Sequence, residues 1–91
     1  MTQTLDDLRK KIDLIDAKII SSLAERFQIT NEVGKYKKEH NLAAQDNARE
    51  AAQFAKIEQL SKEAGLNPEF MKKIFRLIID EVIQNHKKIS S

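Results

Sequence analysis

Residues 5–39 read LDDLRKKIDLIDAKIISSLAERFQITNEVGKYKKE, a stretch with no proline and a single glycine, Gly34. Its apolar residues recur every three or four positions, which is the spacing of one face of an α-helix. The regular members of this row are Leu5, Leu8, Ile12, Ile15, Ile19 and Leu23. The stretch therefore predicts one long helix, about 54 Å in length at 1.5 Å per residue.

Two cations fall on the apolar side of this helix. At about 100° per residue, Arg26 and Lys37 lie in a stripe roughly 60° wide. The apolar members of the same stripe are Leu8, Ile12, Ile15, Ile19 and Val33. Because a buried charge is very costly unless it is paired, the pattern predicts that both cations face an interior filled by an anion. The alternative is that both side chains extend past the stripe to solvent.

Start and stop signals divide the chain into three helices and no strands. The predicted helices span residues 5–39, 47–64 and 68–87. Thr4 with Asp7 marks the start of the first helix, and Asp46 or Asn47 marks the start of the second. Gly65 marks the end of the second helix, and Asn67 followed by Pro68 marks the start of the third. These are residue types that cap helix N-termini, end helices or occupy the first helical position.

The length of the chain predicts one small domain, residues 1–91, that associates with a second copy. A small domain buries a modest fraction of its surface, and the first helix is about twice as long as the others. Two such helices lying antiparallel would cover the apolar stripe. We therefore predict an intertwined homodimer, with a two-stranded coiled coil as the alternative.

Composition excludes several classes of function. The net charge is +2 with acids and bases interleaved, which gives no reason to expect a nucleic-acid partner. There are no cysteines, the two histidines are far apart, and no apolar run reaches transmembrane length. We expect no metal and no membrane contact. The first eleven residues do not resemble a secretory signal, so we expect a cytoplasmic protein.

Further ionisable residues lie on or beside apolar helix faces. Glu50 falls inside the apolar face of the second helix and Arg49 lies at its edge. His86 lies at the rim of the apolar stripe of the third helix. The alternatives are a surface Arg49–Glu50 pair and a hydrogen-bonded boundary histidine. A site of cations and one acid, without a nucleophile, suits binding and electrostatic stabilisation better than covalent catalysis.

Five segments, in order, resemble the all-helical (AroQ-class) chorismate mutases. They are Leu8 to Asp16, Leu23-Ala24-Glu25-Arg26, Val33-Gly34-Lys35-Tyr36-Lys37, Asp46-Asn47-Ala48-Arg49-Glu50, and Phe75-Arg76-Leu77-Ile78-Ile79-Asp80. The resemblance covers residues 5–88. It implies an all-α dimer of three-helix protomers whose two sites are each completed by both chains. It also implies the rearrangement of chorismate to prephenate, an intramolecular step that uses no cofactor.

The resemblance also implies a role for each matching residue. Arg26 and Arg49 would bind substrate carboxylates, and Arg9 would do so from the partner chain. Lys37 would donate a hydrogen bond to the ether oxygen of the substrate. Glu50, together with the backbone near Asp46, would bind the ring hydroxyl.

Two positions depart from the family pattern. Val82 stands where the family usually has serine, and His86 stands where it usually has glutamine or glutamate. That second side chain ordinarily donates to the ether oxygen, and an imidazole can donate from one nitrogen, or from both when protonated. We expect Val82 and His86 to line the site, with His86 as a donor whose protonation raises turnover.

Two other functions fit the same residues. One is an isochorismate pyruvate-lyase of the same fold, although the segment from Asp46 to Glu50 is more like the mutases. The other is a catalytically weak helical module that binds a partner enzyme of the pathway, which the departures at Val82 and His86 would explain.

Overall fold

The computed structural model describes residues 2–90, so Met1 and Ser91 lie outside it. The described residues form three α-helices and no strand, which confirms the all-α prediction. The helices are α1 (Leu5–Glu39), α2 (Asn47–Glu63) and α3 (Pro68–Ser90). The predicted bounds are close, but α2 ends one residue earlier and α3 continues about one turn further than predicted.

The start of α1 is fixed by its own side chains. The backbone N–H of Asp7 donates to Oγ1 of Thr4 at 3.1 Å, and the backbone N–H of Thr4 donates to Oδ2 of Asp7 at 3.2 Å. This is a capping box in which aspartate replaces the usual glutamate or glutamine. At the other end the chain turns at Asn41, whose φ of 54° lies in the left-handed region.

Short polar signals also set the bounds of α2 and α3. Of the two capping residues proposed for α2, Asp46 is the one used, and its carboxylate accepts the backbone N–H of Arg49 at 3.0 Å. Gly65 follows α2 with a φ of 74°, a conformation that glycine adopts without strain. Oδ1 of Asn67 then accepts the backbone N–H of Glu69 at 3.0 Å and caps α3.

The chain divides into two compact units, and α1 contributes to both of them. The first unit ends at Thr30 and the second begins at Asn31. In the second unit α2 packs on α3. Its buried residues are Gly34, Ser61, Ile79 and His86. The interior of this unit is therefore small and holds a histidine as well as an aliphatic side chain.

The first unit leaves its predicted apolar row open to solvent. The exposed fractions are 43% for Leu8, 57% for Ile12, 52% for Ile15 and 53% for Ile19. No helix among residues 2–90 has both the length and the apolar character needed to cross a membrane.

Candidate functional site

A concave pocket lies in the second unit. Its walls come from the last turns of α1, the loop that follows α1, the first turns of α2 and one side of α3. Six residues predicted for the site line it: Lys37, Asp46, Arg49, Glu50, Val82 and His86. Sequence positions up to 49 residues apart, from Lys37 to His86, are thus brought to one place.

The other two predicted site residues lie in the first unit. Arg9 is exposed on the N-terminal turns of α1, and Arg26 is half-buried further along the same helix. Their predicted roles toward a substrate stay predictions.

Lys37 is anchored at the pocket by the loop that follows α1. Its ammonium Nζ donates to the backbone carbonyl of Ala44 at 3.1 Å. Because an ammonium has three N–H donors, two remain for a ligand. The Lys37 side chain is half-buried. It therefore does not extend freely to solvent, which was the alternative interpretation.

The N-terminus of α2 brings two more charged residues to the pocket. The carboxylate of Asp46 caps the helix, and the exposed side chain of Arg49 follows in the first turn. The unsatisfied N–H groups at a helix N-terminus carry a partial positive charge. The Asp46 carboxylate offsets this partial charge, so Arg49 is the cationic group that this end of α2 brings to the pocket wall.

Glu50 is the second acidic residue that lines the pocket, after Asp46, and both of its carboxylate oxygens accept hydrogen bonds. Oε1 accepts a hydrogen bond from Nη2 of Arg76 at 2.8 Å, and Oε2 accepts one from Nε2 of Gln45 at 3.0 Å. The Arg76 bond, followed by the Gln45 bond, holds the pKa of the Glu50 carboxyl below its usual value. Glu50 is therefore anionic and oriented.

Arg76 is the functional neighbour that sequence reasoning missed. The expected alternative for Glu50 was a surface pair with Arg49, and the structure corrects it, since the partner is Arg76 on α3. Consecutive residues on a helix point about 100° apart and do not face each other. The i,i+4 spacing of Arg76 and Asp80 was visible in the sequence, but it indicates only their own ion pair, at 2.7 Å, and not the contact with Glu50.

His86 lies deeper than the rim position predicted for it, with 4% of its surface exposed. The cause is Gly34 on α1, which leaves room for the imidazole. A Cβ atom at position 34 would lie 2.7 Å from Cδ2 of His86. Val82, one turn earlier on α3, adds an apolar contact surface to the same pocket.

The charged side chains that line the pocket are of the kinds that bind and polarise small anionic molecules. The pocket lining includes an ammonium, a guanidinium and an imidazole together with the carboxylates of Asp46 and Glu50, both of which accept hydrogen bonds. No group of three or more histidine, aspartate or glutamate side chains among residues 2–90 is placed to hold a metal ion. Preorganised donors of this kind act on charge that develops during a reaction.

Comparison with known proteins assigns the chain to a family. The family model "Chorismate mutase type II" matches residues 8–87. The chain is 34% identical over 80 residues to a chorismate mutase of Methanocaldococcus jannaschii, covering 88% of this chain and 81% of that one. It is 36% identical over 81 residues to a bifunctional chorismate mutase/prephenate dehydratase of Buchnera aphidicola, covering 89% of this chain and 21% of that one.

A third relative carries a different name. The chain is 29% identical over 80 residues to a 4-amino-4-deoxychorismate mutase of Streptomyces pristinaespiralis, covering 88% of this chain and 62% of that one. The chain spans about a fifth of the length of the bifunctional relatives, for example 21% of the Buchnera protein. The match over residues 8–87 shows that the chain belongs to the chorismate mutase type II family.

Proposed function

We propose that this chain is an isomerase that converts chorismate to prephenate in aromatic amino-acid biosynthesis. The observation that carries the proposal is the convergence of Lys37, Arg49, Glu50 and His86 on one pocket. Together with the family membership, this set of groups suits a dicarboxylate that rearranges within itself. Neither a nucleophile nor a cofactor enters the proposed reaction.

The first task of the site is to hold the compact reactive conformer of the substrate. Arg26 and Arg49 bind its carboxylates, and Arg9 of the partner chain completes the set. A guanidinium offers a planar fork that matches a carboxylate. Fixing the reacting atoms at short distance removes much of the entropic barrier of an intramolecular reaction.

The second task is to stabilise charge on the ether oxygen while its bond breaks. Lys37 supplies an N–H donor from an ammonium already fixed on Ala44. His86 supplies a second donor from α3. Removal of one preorganised donor of this type typically lowers kcat by about 10²–10³-fold. Glu50 accepts the ring hydroxyl of the substrate and sets its orientation.

The proposed assembly is an intertwined homodimer of single-domain protomers with sites shared between the chains. The open row of apolar side chains on the first unit supports it, because extended apolar patches on small proteins mark association surfaces. Relatives fused to a dehydratase, as the name of the Buchnera protein states, support an association with a partner enzyme of the same pathway. The cytoplasmic location expected from the sequence stays a prediction.

Lys37→Ala is the test of the proposed activity. We expect the purified parent to convert chorismate to prephenate, followed by the loss of chorismate absorbance. The variant should lose about 10²-fold or more in kcat because a donor to the ether oxygen is gone. Lys35→Ala is the matched control, since Lys35 is exposed on the same helix and does not line the pocket.

Isochorismate offered in parallel separates the mutase from the related lyase. Pyruvate release from isochorismate with no turnover of chorismate would replace the proposed reaction by the lyase. A parent chain that turns over neither substrate, alone or in mixture, would contradict an enzymatic role and favour the regulatory module.

A further inference from the structure

We infer that Arg76 is a positioning residue of the pocket, which holds the Glu50 carboxylate in one orientation as the acceptor for the ring hydroxyl of the substrate. This inference rests on the proposed function above. Arg76 does not line the pocket itself and acts only through Glu50.

The geometry leaves Glu50 one acceptor direction on each oxygen. A carboxylate oxygen has two lone pairs, and Arg76 and Gln45 each occupy one, on different oxygens. Only 13% of the Glu50 side chain is exposed, so rotation away from these partners would leave a charge poorly solvated. The lone pairs that remain are therefore presented to the pocket in a fixed direction.

Arg76 is itself held from two further sides. Its Nε donates to Oδ1 of Asp80 at 2.9 Å, and Nη2 lies 2.7 Å from the same oxygen. Its guanidinium carbon lies 5.3 Å from the centroid of the Phe54 ring, within cation–π range. Because Phe54 is on α2 and Asp80 is on α3, the guanidinium joins the two helices and cannot swing away from Glu50 without losing both contacts.

Several charged groups surround Glu50, and their balance predicts how it responds to the loss of Arg76. Arg76 and Asp80 lie beside it on α3. Within the pocket wall are Lys37 of α1, His86 of α3, and Asp46 and Arg49 at the start of α2. The strongest single influence is the hydrogen bond from Arg76, which lowers the pKa of Glu50. Without it, protonation of Glu50 should occur at higher pH.

The test is the pH profile of kcat/KM for Arg76→Gln and Arg76→Lys. We expect Arg76→Gln to lower kcat/KM about tenfold near neutral pH, and to move the acidic limb of the profile to higher pH. Arg76→Lys should restore the position of that limb and part of the rate, because it keeps the charge but loses the planar fork. Glu50→Gln should abolish the limb.

Lys72→Gln is the matched control. Lys72 lies one turn before Arg76 on α3 and forms ion pairs with Glu58 at 3.5 Å and Glu69 at 3.3 Å. Lys72→Gln removes one positive charge from α3, as Arg76→Gln does, but at a residue that pairs with Glu58 and Glu69 rather than with Glu50. We expect its pH profile to match that of the parent. The positioning role is wrong if Arg76→Gln lowers only thermal stability and leaves the acidic limb of the pH profile where the parent and Lys72→Gln have it.

A second measurement keeps this inference separate from the proposed reaction. The carboxyl ¹³C signal of Glu50 can be titrated in the full chain without substrate. A higher pKa of Glu50 in Arg76→Gln than in the parent supports the positioning role even if the parent makes no prephenate. An unchanged Glu50 titration overturns it even if the parent is an active mutase.

Discussion

His86 brings an imidazole to the pocket at a position where the resemblance to the chorismate mutases implies glutamine or glutamate. The imidazole is buried, lines the same pocket as Lys37 and fills the space that Gly34 leaves. If it donates to the ether oxygen, protonation adds a second N–H and turnover rises as pH falls. The increase should stop where Glu50 becomes protonated, at a pH below the usual range of a glutamate because its pKa is lowered.

His86→Gln checks this expectation, since glutamine supplies a neutral amide donor whose state does not change with pH. We expect the variant to lose the rise in kcat toward lower pH while it keeps the acidic limb. Superimposable pH–rate profiles for the parent and the variant would show that the imidazole proton has no part in turnover.

At the scale of single residues, the sequence singled out charged residues that line the pocket but not the ion pair between Glu50 and Arg76. Lys37 and Glu50 were identifiable because a charge on an apolar helix face is an anomaly that periodicity exposes. The contact between Glu50 and Arg76 joins positions 26 residues apart on two helices. Periodicity within one helix carries no information on which turn of another helix lies opposite, so this partner could not be assigned.

Gly34 controls how closely α3 approaches the end of α1. A Cβ at this position would lie 2.7 Å from Cδ2 of His86 and 2.9 Å from Cδ1 of Ile89. We expect Gly34→Ala to displace the imidazole and lower kcat, because a ring is less able to yield than a terminal methyl group. The net change in stability should be small, since alanine favours the helix by about 1 kcal/mol, which offsets part of the crowding.

Gly65→Ala is the control for that substitution. Nothing lies within 4 Å of a Cβ at Gly65, but its φ of 74° is strained for alanine. We expect a loss of roughly 1 kcal/mol in the free energy of unfolding and a normal kcat. In a His86→Ala background, Gly34→Ala should have little further effect on kcat. If Gly34→Ala lowers kcat in the His86→Ala background as much as it does in the parent, its effect does not come from contact with His86.

Helix bounds were predictable because the signals that set them are local. The carboxylate of Asp46 caps α2 three residues away, and the amide of Asn67 caps α3 two residues away. The sequence offered both Asp46 and Asn47 as the cap of α2, and only coordinates distinguish them. The extension of α3 beyond residue 87 had no comparable stop signal, which is why its end was placed early.

At the scale of the whole molecule, the apolar row of α1 is the strongest argument for a second copy. The chain has a mass of 10.5 kDa, and its row of exposed aliphatic side chains includes Ile15. We expect light scattering to give twice that mass for the parent. Ile15→Glu should give the monomer mass, because the dimer would have to bury an unpaired carboxylate.

Ala17→Glu is the matched control for the dimer. Ala17 is also exposed on α1, but it lies about 200° around the helix from Ile15, on the side away from the apolar row. This variant should keep the parent mass. A parent chain that is monomeric at all concentrations would contradict the homodimer, and with it the role of Arg9 in the site of a partner chain.

Because Lys37 donates to the carbonyl of Ala44, the length of the segment between α1 and α2 affects the position of the ammonium as well as the path of the chain. The segment brings the carbonyl of Ala44, seven positions after Lys37, back to the ammonium. We expect an added residue between positions 40 and 45 to leave α1 and α2 intact but to break the hydrogen bond from Lys37, so that its ammonium becomes solvated. Natural variation in this short link should therefore be far narrower than its exposure to solvent alone suggests.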